Sequence, residues 1–113
     1  MELDIHQLFR EDLPNQYSKD PETVKRIGGK FQINITGAGG GEWFVDASSS
    51  GPQVLLGNPG DADATITLTA EDFQKLYENP RANTVHLMLA NKIYMTGDQL
   101  LARKVHALFL VGR

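Results

Sequence analysis

The chain has no cysteine. That excludes a disulfide framework and thiolate metal sites, and it fits a reducing compartment. No run of about twenty apolar residues occurs, the length a membrane-spanning helix needs. The opening stretch, MELDIHQLFRED, contains acidic residues and no basic leader region, so it does not read as a secretory signal. The last residues, LVGR, are not a peroxisomal address of the S-K-L type. A surplus of positive charge is also missing. The formal net charge is −3, which argues against nucleic acid as a partner.

What is present suits one folded domain over residues 1–113, since 41% of the residues are hydrophobic. Charge is spread unevenly. Residues 31–80 carry one basic and seven acidic groups, whereas residues 81–113 carry five basic and one acidic. The basic C-terminal third is either a solvated surface or a face that meets an anionic membrane, where each basic residue contributes about 1 kcal/mol.

The glycine-rich stretch ITGAGGGEWFVDA, residues 35–47, resembles a phosphate cradle only superficially. A phosphate loop needs a lysine and a hydroxyl after its last glycine, and a helix behind them. Here Glu42 and Trp43 follow Gly41, and Trp43-Phe44-Val45 favours a strand. The dinucleotide fingerprint fails because Glu42 stands where its third glycine belongs. The glycines are therefore read as a long, mobile hairpin bend.

Periodicity divides the rest. Ile5, Leu8, Phe9 and Leu13 lie at helical spacing over 3–13, with Pro14-Asn15 expected to end that helix. Asp20-Pro21-Glu22 opens a second helix and Gly28-Gly29 closes it. The period then drops to two. Phe31, Ile33 and Ile35 make one strand, and Trp43, Val45 and Ala47 another. Residues 53–56 make a third, and Ala62, Ala64, Ile66 and Leu68 a fourth. Thr69 and Asp72 cap a helix bearing Phe73, Leu76 and Tyr77, which Asn79-Pro80 breaks. One or two helical turns are expected over 85–89, then a strand through Ile93 and Met95. Gly97-Asp98 leads to a last helix with Leu101, Val105, Leu108 and Phe109 on one stripe. The fold class is α+β, with a mostly antiparallel sheet and helices on one face.

Chemistry is sparse. His6, His86 and His106 are scattered without a metal-ligand partner, so no metal site is expected. Ser48–Ser50 lack a nucleophile elbow and read as a turn. Asp61 and Asp63 follow the turn Asn58-Pro59-Gly60, where a carboxylate pair for catalysis is the weaker reading. A small enzyme would need a carboxylate or tyrosine inside a cavity. Tyr77 and Tyr94 are the candidates, and alternation turns Tyr94 away. Leu76, Leu87, Met88, Leu89, Met95, Leu101, Leu108 and Phe109 are many large, flexible apolar residues for so small a core. They suit ordinary packing or an apolar ligand cavity.

The ordered set GGKFQINI, EWFVDA, ADATITLTAEDFQKLYENP and NKIYMTGDQLLARKV resembles the sterol carrier protein 2 (SCP2) domain over residues ~24–110. The resemblance implies a five-stranded sheet under helices with an apolar tunnel between them. It implies a cargo of acyl chain, acyl-CoA, phospholipid or isoprenoid, no cofactor and no catalysis, in a cytoplasmic monomer or weak homodimer. Its implied lining is Ile35, Trp43, Val45, Phe73, Leu76, Tyr77, Leu87, Met88, Met95, Leu101, Val105, Leu108 and Phe109. Arg103 and Lys104, with Arg113 near them, would meet a transient membrane surface. Where family members often carry glycine, this chain has Glu78-Asn79 and Ala90-Asn91, which would reshape the cavity wall. The alternative implied role is a dimerising accessory module that presents a lipid-like substrate to separate enzymes.

Overall fold

Capping residues fix most of the element boundaries in the computed structural model, which describes residues 3–113. The order is α1 (Ile5–Gln7), a π-helical turn (Leu8–Asp12), α2 (Leu13–Lys19), α3 (Pro21–Ile27), β1 (Lys30–Thr36), β2 (Gly41–Asp46) and β3 (Gln53–Leu56). Then come β4 (Ala64–Thr69), α4 (Ala70–Glu78), α5 (Pro80–Leu89), β5 (Tyr94–Gly97), α6 (Gln99–Ala102) and α7 (Val105–Leu108). Asp20, Thr69 and Asp98 each accept a hydrogen bond from a backbone N–H three residues on. Gly28 adopts the left-handed conformation that stops α3. None of the helices among the described residues is long and apolar enough to cross a membrane.

Three expectations are corrected. Pro14 does not end the first helix. The N–H of Leu13 bonds to the carbonyl of Leu8, five residues back, so the chain widens into a π turn just ahead of the proline. Pro14 has no N–H of its own to place, and the wider turn relieves its clash with the preceding turn. The helical path therefore runs on to Lys19. The turns expected at 85–89 are the second half of a ten-residue helix that starts at Pro80, where proline suits a first helical position. The last helix is two short turns, α6 and α7, separated at Arg103-Lys104.

The sheet order is β3-β2-β1-β4-β5. β1 and β4 run parallel, and the other three pairings are antiparallel. Register places Phe31, Ile33, Ile35, Trp43, Val45, Ala64, Ile66, Leu68 and Met95 on one face. The apolar residues of the helices cover that face, forming a single core. The glycine bend is a four-residue hairpin connection, closed by the Gly40 N–H bonded to the Gly37 carbonyl.

The segment from Gly57 to Asp63 joins the β3 edge to β4 across the other face. Gln32 on that face donates from Nε2 to the Gly57 carbonyl at 3.1 Å. Asp63 accepts from the Lys30 N–H at 3.0 Å, and Asp61 pairs with the Lys30 ammonium at 3.5 Å. Both carboxylates thus anchor the crossover to the start of β1.

Candidate functional site

The residues implied as a tunnel lining do come together, between the inner sheet face and α4, α5, α6 and α7. Ile35, Trp43, Val45, Phe73, Leu76, Leu87, Leu101, Val105, Leu108 and Phe109 are buried. Tyr77, Met88 and Met95 are half-buried and pack against them. A side chain lining an open tunnel keeps surface that a water-sized sphere can touch. Val45, Phe73, Leu108 and Phe109 keep none, so this lining is closed on itself.

An aromatic cluster fills the centre. Phe9 stacks on Trp43 with ring centroids 4.9 Å apart and planes 7° from parallel. Phe109 meets Phe9 and Phe73 edge-on. Such pairs each contribute about 0.5–1.5 kcal/mol beyond their buried area. The buried tyrosine is Tyr17, not Tyr77 or Tyr94. Tyr94 is exposed on the outer sheet face, and Tyr77 is half-buried with Arg113 stacked on its ring at 4.3 Å. The Tyr17 hydroxyl donates to the Leu108 carbonyl at 2.8 Å. Burial pushes its pKa far up, so it stays a neutral donor. Spacing pointed to it, since Tyr17 is four residues beyond Leu13, but Pro14 masked the continuity of the helix.

Three clefts surround α4 and α5. One of ≈530 Å³ lies among Leu3, Ile5, the hairpin bend and the outer side of α4, with Glu71, Lys75 and Glu78 in its wall. A second of ≈250 Å³ borders Lys75, His86, Leu87 and Lys92. The third, also ≈250 Å³, runs between α5 and the α6–α7 segment and is lined by Arg81, Thr84, Val85, Met88, Leu89, Arg103 and His106. Its inner surface is almost wholly apolar, so the charged ends of the arginines lie at its margin. Met88 links this groove to the core. Sequence reasoning missed the groove because Arg81 and Arg103 belong to different elements, and periodicity within one helix does not say which helix lies beside it.

Among the described residues, the serines and histidines noted in the sequence do not come together as a hydrolytic or metal site. Ser48 and Ser50 both donate hydroxyl hydrogen bonds to Asp46, closing the turn after β2. Burial raises the Asp46 pKa, but the bonds from Ser48 and Ser50 outweigh it and hold the carboxyl below the usual range. His6 lies against the Trp43 ring and within 2.7 Å of the Gly40 carbonyl. His86 and His106 lie on different clefts. Among the described residues no group of histidines and carboxylates is placed to hold a metal ion.

Arg103 and Lys104 are exposed at the break between α6 and α7. Near them stand exposed apolar side chains. Leu100 is 74% exposed on α6, and Val85 and Leu89 are 51% and 79% exposed on one face of α5.

Known proteins share this architecture and sequence. Bovine hydroxysteroid dehydrogenase-like protein 2 is 30% identical over 80% of this chain, which spans only 22% of that longer protein. A fatty acid-binding protein of Yarrowia lipolytica is 28% identical, covering 92% of this chain and 84% of its own length. The structure of sterol carrier protein 2 from Yarrowia lipolytica in its apo form superposes with a TM-score of 0.70 at 28% identity, covering 91% of this chain and 84% of that one. Residues 6–110 match the family described as the SCP-2 sterol transfer family. With the five-stranded sheet, the helices on its inner face and the apolar core between them, that match gives the conclusion: the chain belongs to the SCP-2 sterol transfer family, whose domains bind and transfer lipids.

Proposed function

We propose that residues 1–113 form a single, non-catalytic lipid-carrier domain that takes up a fatty acid, fatty acyl-CoA or related lipid in the cytoplasm. The observation that carries this reading is the continuity from an apolar groove, through half-buried Met88, into a core built of large flexible side chains. Burying a methylene gains about 0.8 kcal/mol against water. Against a bilayer the gain is near zero because both media are apolar, so loading and unloading are nearly balanced. The two short turns α6 and α7 form the cover over the core. Their separation at Arg103-Lys104 gives them a place to hinge when the closed lining opens. Arg103 and Lys104 attract an anionic membrane, and Leu100 supplies an apolar contact beside them.

The exposed side chains of Val85, Leu89 and Leu100 also favour a second reading, an accessory module that pairs with another protein or another copy. Native mass spectrometry of gently purified protein, followed by lipid extraction, separates the two. A stoichiometric acyl lipid on a monomer is the expected result. An empty dimer that takes up neither added fatty acid nor acyl-CoA would sink the carrier reading.

A further inference from the structure

Three side-chain cations have partners among the described residues. Lys30 pairs with Asp61, Lys75 lies near Glu71 and Asp72, and Arg113 donates to the Tyr77 carbonyl. The groove between α5 and the α6–α7 segment brings two unengaged cations to one largely apolar surface. Arg81 and Arg103 border it, and neither side chain has a hydrogen-bond or ion-pair partner among the described residues. No carboxylate lines the groove. Thr84 stands in its wall only 2% exposed, and its hydroxyl makes no hydrogen bond. Buried hydroxyls are normally partnered, and a helical threonine has a second rotamer that exchanges its methyl and hydroxyl positions. His106 places Nδ1 3.0 Å from the Arg103 carbonyl, which leaves Nε2 without a partner.

We propose that this groove clamps the anionic head of a single-chain lipid, a fatty-acid carboxylate held between Arg81 and Arg103. The inference rests on the carrier reading and adds to it the charge of the cargo and its direction, head outward and chain inward past Met88. Guanidinium groups match a carboxylate through paired N–H donors, and two of them beside an apolar surface favour an amphiphile over a free ion. Size agrees. At ≈250 Å³ the groove lies below the ~300–1,000 Å³ of pockets that enclose a whole drug-sized ligand. It takes the head and first methylenes, and the remaining chain must enter the core. Methionine is the side chain suited to such a passage, because it repacks readily.

The test is isothermal titration of decanoate and decanol, which share a chain and differ in head charge. The wild-type chain is compared with Arg81→Gln/Arg103→Gln and Arg81→Lys/Arg103→Lys, all at sites exposed enough to leave folding intact. Wild type is expected to prefer decanoate by about tenfold or more, the ratio that a hydrogen bond to a charged group supplies. The glutamine pair erases that preference and leaves decanol affinity unchanged, and the lysine pair regains part of it. Equal affinity of wild type for both ligands overturns the clamp and leaves the carrier reading standing. Failure of wild type to bind either ligand overturns both. Acetate that displaces decanoate at comparable concentration makes this a small-anion site and overturns the lipid assignment. A wild-type dimer split by the glutamine pair, with the two ligands bound alike, gives the groove to a second copy and also overturns it.

Discussion

Thr84 and Asp46 are both buried polar residues, yet they have opposite energetic standing. The Thr84 hydroxyl is buried and makes no hydrogen bond within the protein, so its burial counts against the folded state. Thr84→Val keeps the shape and removes the hydroxyl. It is expected to raise stability by about 1 kcal/mol in urea denaturation, against the usual direction of core substitutions. Asp46 is fully served by Ser48 and Ser50. Its folded-state pKa lies below the unfolded value, so its contribution is complete above the unfolded pKa and is lost as pH falls through the folded one. Asp46→Asn is therefore expected to cost stability at neutral pH and to lose less than wild type does in acid. Parallel urea titrations at pH 7 and pH 3 check this, and an unchanged gap between the two proteins would contradict it.

At the scale of elements, the tie between α2 and the C-terminal turns decides how well the core is closed. Tyr17→Phe removes the donor from the buried Leu108 carbonyl and is expected to cost about 1–3 kcal/mol, read as a lowered urea midpoint with unchanged slope. The same tie shows what a single sequence can and cannot reveal. The strands were legible because Ala64, Ile66 and Leu68 alternate with threonines, and one buried face forces that pattern. Caps at Asp20, Thr69 and Asp98 were legible because short polar side chains there have one evident use. Pro14 is a false stop signal for the first helix because the proline rule assumes α geometry, and a π turn evades it. The break in the last helix is not legible because its apolar stripe persists through Arg103-Lys104. The parallel pairing of β1 with β4 was not legible at all, since alternation fixes which face a residue occupies and says nothing about its neighbour strand. The thirteen residues implied as a lining lie in one packed region, and residue type alone does not tell a packed core from an open tunnel.

For the whole molecule, the closed core means that the proposed uptake of a lipid requires an internal rearrangement rather than a surface event. Trp43 is the single tryptophan, it is 1% exposed, and it stacks on Phe9 at the centre. Saturation with decanoate is expected to change its fluorescence and to raise the melting temperature. At a hundredfold excess over the dissociation constant, binding to the folded state alone adds about 2.7 kcal/mol. A ligand that raises the melting temperature while leaving the Trp43 spectrum unaltered would place the chain in the outer groove only.

The Tyr17–Leu108 bond joins residues 91 positions apart, and it bears on how the protein is made as well as how it holds together. During synthesis Leu8, Phe9 and Leu13 leave the ribosome long before α7 exists to cover them. At ~5–20 residues per second the wait is roughly 5 to 18 s. For that interval the nascent chain presents an uncovered apolar helix face, the kind of surface that holding chaperones bind. A core closed by α7 thus stays uncovered until α7 has been made.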